Sequence, residues 1–238
     1  MAIYIIADLH LSFKDENKNM SFFGGNWINY EDKIKENWKK IVKEDDLVIL
    51  PGDFSWAMQL EDTIEDFNFI ENLPGKKLLL KGNHDYWWST VTKIKNFLKE
   101  NNFNSLSVLY NDSYCYNNCV IVGTRGWNIN SEVIQDKKIL NRELSRLEAS
   151  IKDGIIKFGT NKKYICCIHF PPITKVQIIK NESSKFLNLL KQYNVSECYY
   201  GHLHGTSHKE AIEGNISGIK LKLISSDYLN FELHKISD

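Results

Sequence analysis

Hydrophobic residues recur along this chain in two distinct periods. Short, almost continuous apolar runs occupy Ile3–Ala7, Leu47–Leu50, Lys77–Leu80, Tyr164–Ile168 and Glu197–Tyr200, the pattern of strands buried on both faces of a parallel or mixed sheet. Between them, apolar positions return at helical spacing: Ile34, Trp38, Ile41 and Val42; Leu60, Ile64 and Phe67; Val91, Ile94 and Leu98 behind a predicted N-cap at Ser89; and Phe186, Leu189, Leu190 and Tyr193. The order is βαβα, which predicts an α/β fold. Leu140, Leu144, Leu147 and Ile151 mark the longest predicted helix, from Glu132 to about Lys152. From Leu106 to Gly123 and from Gly218 to Leu233 the period falls towards two, so both segments are expected to form antiparallel strands. No repeat, low-complexity tract or linker interrupts the pattern, and 238 residues suit a single domain spanning residues 1–238.

Chemistry collects where the predicted strands end. Five short strings lie there: Asp8-Leu9-His10, Gly52-Asp53, Gly82-Asn83-His84-Asp85, His169, and Gly201-His202-Leu203-His204. In open α/β sheets ligands gather beyond the carboxyl ends of strands, so the placement matters as much as the residue types. The strings supply imidazoles, carboxylates and one amide without a thiolate, the donor mixture that holds divalent cations. Asp-x-His or Gly-Asp alone means little, but a given tetrapeptide such as Gly-Asn-His-Asp is expected in roughly one chain in a thousand of this length. An Asp on a tight turn behind a glycine, as at Asp53, suits a carboxylate that bridges two ions, because glycine lets the backbone approach closely. His208 and His234 lie outside the strings and read as ordinary hydrogen-bonded side chains.

Composition narrows the field. Lys plus Arg equals Asp plus Glu at 30 each, which gives no electrostatic argument for nucleic acid or an anionic membrane as partner. No apolar run approaches the roughly 20 residues of a membrane span. The opening Met1–Ala7 lacks a basic leader and runs straight into Asp8, so a cytoplasmic location is expected. Five cysteines, an odd number without a C-x-x-C, read as small core residues of a reducing compartment, with Cys115 and Cys119 on a hairpin turned by Asn117 and Asn118.

In their order, D-x-H, G-D, G-N-H-D, H and G-H-x-H, the strings resemble the motifs of the calcineurin-like metallophosphoesterases over residues 8–204. The resemblance implies a layered α/β/β/α sandwich of two sheets with helices on the outer faces. It implies two divalent ions (Mn, Fe, Zn, Co or Ni), with Asp8, His10 and His204 at one, Asn83, His169 and His202 at the other, and Asp53 bridging them. Such a pair, roughly 3.5 to 4 Å apart, acidifies a shared water near neutral pH and clamps the phosphoryl oxygens for in-line attack. His84 is left to stabilise the developing charge or protonate the leaving group, with Asp85 orienting its ring. Two departures occur: Phe54-Ser55-Trp56 follows Gly52-Asp53 where relatives often carry Asp or Arg, and Leu11-Ser12 follows the first motif where many have glycine. Neither removes a ligand. Noncatalytic scaffolds of this fold bind partner proteins but tend to lose the catalytic histidine or several ligands, and here every position is filled.

Of the three arginines, Arg142 and Arg146 lie one turn apart and read as a solvated helix face, whereas Arg125 in Gly123-Thr124-Arg125-Gly126-Trp127 could fork onto a phosphate. Trp56, Trp87, Trp88 and Trp127 fall within a few residues of these loops, and Trp27 lies in the long loop after the first motif. A pocket walled by indoles favours a small-molecule phosphoester with a flat or apolar leaving group, such as a nucleotide or a lipid. The alternative for these indoles is burial that pins the loops.

Overall fold

The computed structural model describes residues 1–129 and 131–237. The strands in chain order are β1 (Ile3–Ile5), β2 (Leu47–Pro51), β3 (Lys76–Leu80), β4 (Leu106–Val108), β5 (Tyr114–Tyr116), β6 (Cys119–Thr124), β7 (Lys163–Ile168), β8 (Glu197–Tyr200), β9 (Gly214–Ile216), β10 (Ile219–Leu223) and β11 (His234–Ser237). The α-helices are α1 (Tyr30–Ile41), α2 (Ile64–Glu71), α3 (Val91–Glu100), α4 (Ile134–Phe158), α5 (Lys175–Ile179) and α6 (Lys185–Gln192). They form two mixed sheets flanked by helices, the expected α/β class. Two compact units hold one sheet each: Met1–Val108 with Ile224–Asp238, and Leu109–Leu223.

The first unit carries the sheet β11-β1-β2-β3-β4, parallel throughout except for the edge strand β11. Its inner strands are buried on both faces, and helices cover one of these faces: Trp38 and Ile34 of α1, Phe67 and Ile70 of α2 and Ile94 and Phe97 of α3 join Tyr4, Val48 and Leu79 in one core. α3 begins one residue later than expected: Thr90, not Ser89, accepts the Lys93 amide. The segment from Leu106 departs from expectation more substantially. β4 lies parallel to β3, Lys77 opposite Leu106, because α3 is the crossover that returns the chain in the same direction. Residues 224–233 likewise leave the ladder. Ala7 donates to the Ile224 carbonyl, left-handed Asn230 and Phe231 turn the chain, and pairing resumes only at β11.

In the second unit the order is β5-β6-β7-β8-β10-β9, a parallel core with one antiparallel strand at each edge. Asn117, at φ 52°, turns the β5–β6 hairpin as expected. α4 runs on to Phe158, past the predicted Lys152, and stops at Gly159, whose amide donates to the Ile155 carbonyl. It lies close to the sheet at Gly154, where a Cβ would stand 2.9 Å from Tyr164 Cε1 and 3.0 Å from Val120 Cγ1. All five cysteines are free, and Cys119, Cys166, Cys167 and Cys198 are buried. Among the described residues, no helix is long and apolar enough to cross a membrane.

Candidate metal centre

In the first unit every motif residue emerges from the carboxyl end of a parallel strand. Asp8 and His10 follow β1, Asp53 follows β2, and Asn83, His84 and Asp85 follow β3. Asp8, His10 and Asp53 all adopt left-handed backbone, with φ of 62°, 47° and 50°. For non-glycine residues that conformation is uncommon, and a cluster of it is held only where the surroundings over-determine it. The surroundings do. The amides of Asp8 and His10 donate to the carbonyls of Gly52 and Asp53, Ser226 Oγ donates to the Asp8 carbonyl at 2.7 Å, and Tyr30 Oη donates to the His10 carbonyl at 2.9 Å. Asp8, His10 and Asp53 are all buried.

Asp85 ties the second and third motifs together. Its Oδ2 accepts the amides of Asp53 (2.9 Å) and Gly82 (2.7 Å), and its Oδ1 accepts those of Phe54 (2.9 Å) and Ser55 (3.3 Å) and the Trp87 indole N–H (3.0 Å). These five bonds hold the Asp53 loop, beside the role of orienting the His84 ring that the motif resemblance implies for this carboxylate. Asp53 in turn accepts the His84 amide at 2.8 Å. Gly82 is glycine because Asp53 passes against it: a Cβ there would overlap Asp53 Oδ1 and N, and would stand 2.9 Å from Cγ. His10 Nε2 lies 3.8 Å from Asp53 Oδ2, a separation that two donors bound to one cation at roughly 2.1 Å each can span. Trp56 stacks on the His10 ring at 4.9 Å and tilts over His84 at 4.5 Å, while Trp27 meets His10 edge-on at 6.1 Å.

The second unit places His169 after β7 and His202 and His204 after β8. His169 is buried. Its amide and that of Phe170 both donate to the Arg125 carbonyl, and its own carbonyl accepts the Gly201 amide, so the two strand ends are laced together. The rings of His169 and His202 meet at 5.2 Å, and Phe170 backs His202 at 4.1 Å. His202 has φ 74° and His204 φ −127°, so the chain turns sharply between the two imidazoles.

A sequence model described as calcineurin-like phosphoesterase matches residues 1–206. The chain belongs to that family. As a calcineurin-like phosphoesterase it is a metal-dependent phosphoesterase, and the Asp, Asn and His donors at its strand ends suit divalent ions. No curated protein matches it by sequence. Solved structures share the fold at low identity. A protein of unknown function from Aquifex aeolicus is 18% identical, with TM-score 0.52 over 98% of this chain and 95% of that one. Phosphopantetheinyl hydrolase from Mycobacterium tuberculosis is 12% identical, with TM-score 0.55 over 99% and 95%. A protein from Thermus thermophilus is 10% identical, with TM-score 0.58 over 99% and 97%.

In this phosphoesterase Arg125 is engaged within its own unit. Its guanidinium lies 3.4 Å from buried Glu143 and packs on Trp127 at 4.5 Å, and burial lowers its pKa while Glu143 opposes the shift. Glu143 also accepts Thr124 Oγ1 at 2.6 Å and Arg146 Nη1 at 2.7 Å. Arg146, 26% exposed, is thus also the partner of a buried carboxylate, which corrects its sequence reading as a solvated face alone. Glu143 itself carried no motif that would have singled it out. The indoles divide as well: Trp87 is buried and bonded to Asp85, Trp127 donates to Asp136 at 2.9 Å, and Trp56 spans the rings of His10 and His84.

Proposed function

We propose that this phosphoesterase hydrolyses phosphate monoesters or diesters of small molecules with two divalent ions, Mn, Fe or Zn foremost and Co or Ni as alternatives. Asp8, His10 and His204 would hold one ion, Asn83, His169 and His202 the other, with Asp53 between them. A single domain over residues 1–238 is part of this reading. The supporting observation is the left-handed backbone at Asp8, His10, Asp53 and His202, four of the seven proposed ligands. Strain repeated at those positions is compatible with a site whose geometry matters more than local stability.

When bound, two such ions lower the pKa of a water and clamp the phosphoryl oxygens. The remaining work belongs to the chain. Asp85 fixes the Asp53 and Gly82 turns through backbone amides, so the Asp53 carboxylate is oriented before substrate arrives. Trp56 covers the His10 and His84 rings and restricts water at both. A ring nitrogen of His84 delivers a proton to the leaving oxygen, and the His84 amide, held on Asp53, keeps that ring beside the carboxylate.

The test is metal analysis together with hydrolysis of a monoester and diester panel under each of the five metals in turn. Asp53→Asn is expected to lose metal and turnover together, and His84→Ala to keep its metal and lose mainly turnover. Full metal occupancy with no hydrolysis of any ester would replace the enzyme with a protein-binding scaffold.

A further inference from the structure

Residues 20–29, Met-Ser-Phe-Phe-Gly-Gly-Asn-Trp-Ile-Asn, form a stretch without a single charge. They fold into two successive 3₁₀ turns, Met20–Phe23 and Gly25–Trp27, which leave Phe22 and Phe23 each 76% exposed. The loop is anchored: Asn19 Oδ1 accepts the Ser21 amide at 2.8 Å, Ser21 Oγ donates to the Trp27 carbonyl at 3.2 Å, and Lys33 Nζ donates to the Asn26 carbonyl at 2.6 Å. Two large aromatic side chains held out in water on a fixed loop need a reason.

They line a groove of about 510 Å³ whose other apolar walls are Met20 and Trp56, a volume within the range of small-molecule sites. Trp56 connects the groove to the proposed chemistry. Its indole N–H points at Met20 Sδ, 3.4 Å away, and its ring packs on His10 and His84. The polar rim is already committed to local turns. Asn17 donates to Asp15, Asn19 bonds to Ser21 and Glu31, and Lys18 Nζ reaches the Trp56 carbonyl. Such walls reward apolar surface and present little to read the hydrogen-bonding edge of a nucleobase.

The geometry points to a leaving-group subsite in which Met20, Phe22, Phe23 and Trp56 receive an alkyl, acyl or aryl body, making the preferred substrate a phosphoester of an apolar alcohol or phenol. This rests on the proposed function, and in particular on His84 protonating the leaving oxygen, since the indole that covers His84 also walls the groove.

The test is a homologous series of monomeric phosphoesters, methyl to decyl, hydrolysed by the metal-loaded full chain, with binding of the matching nonhydrolysable alkyl phosphonates followed by Trp fluorescence. We expect kcat/KM and phosphonate affinity to rise up to about three- to fourfold per methylene until the groove is filled. Phe22→Ser with Phe23→Ser should cut the decyl-to-methyl ratio at least tenfold. Ile179→Ser, which removes an 82% exposed apolar side chain of the other unit, should leave that ratio as it was. Turnover that is flat across the series, with affinities equally flat, overturns the subsite while sparing the phosphoesterase; sedimentation of the same protein with phosphatidylcholine vesicles, lost in the double serine variant, would then assign the aromatic pair to a membrane surface. Absence of turnover on every ester would instead overturn the proposed function, and a rise in phosphonate affinity with chain length would still read out the groove.

Discussion

Replacing Asp85 by asparagine keeps the side chain's shape and changes one oxygen into an N–H₂ group. Because Oδ1 serves Phe54, Ser55 and Trp87 while Oδ2 serves only Asp53 and Gly82, the amide settles with its carbonyl in the Oδ1 position. Its N–H₂ group then faces the amides of Asp53 and Gly82, donor against donor. Two buried hydrogen bonds to a carboxylate are lost, each worth about 1.5–3 kcal/mol, for a total of roughly 3–6 kcal/mol. For a chain of this size that corresponds to a fall in Tm on the order of 10 °C or more. The Asp53 and Gly82 turns should loosen with it, so metal affinity should drop about 10- to 100-fold, the usual range for a group that orients a ligand. Differential scanning calorimetry and metal titration of the purified variant read both quantities. A Tm within about 2 °C of the parent and full metal affinity would refute the account of Asp85 as the tie between the loops. Lost turnover at unchanged stability would return Asp85 to the ring of His84.

Gly82→Ala places a methyl group on Asp53; overpacking of this kind costs about 1–3 kcal/mol, and metal stoichiometry should fall along with Tm. Asp66 is buried where its carboxylate accepts the Phe13 amide and the Ser55 hydroxyl, and desolvation pushes its pKa up to about 6, against the opposing pull of those bonds. A folded pKa above the unfolded value of about 3.9 means that this contribution to stability is fully present below pH 4 and is lost as pH rises through 6. The loss is about 3 kcal/mol. Asp66→Asn should flatten the stability profile between pH 4 and 6, and urea denaturation that shows an unchanged slope would count against the burial argument. Lys77, bonded to the Leu73 carbonyl and to Ser105 Oγ, has its pKa lowered by burial to about 8, so its contribution to stability should grow between pH 8 and 10; a Lys77→Met variant lacking that rise in thermal melts is the expected result. Glu143→Gln weakens the clamp on Arg125 and Arg146 and should destabilise the protein by up to about 3–5 kcal/mol, with a smaller effect on metal binding than Asp85→Asn.

Sequence alone determined the βαβα order, the strands that bear the motifs and the family, because short two-face-apolar runs and helical stripes are local patterns and the motif strings are contiguous. It could not decide the direction of β4, since a three-residue strand looks the same whether a turn or a crossover helix delivers it. Nor did it reveal that residues 224–233 leave the ladder to bring Ser226 to the Asp8 carbonyl, a contact 218 residues long. Arg146 looked like a surface residue because its i,i+3 neighbour Glu143 is buried only by tertiary packing. The work of Asp85 also belongs to tertiary structure: one carboxylate can accept amides from Gly82 and from Asp53 to Ser55 only where two neighbouring parallel strands end side by side. The identities of the donor residues are written along the chain, but the left-handed turns that aim them are held by hydrogen bonds between segments remote in sequence, and no local pattern encodes those.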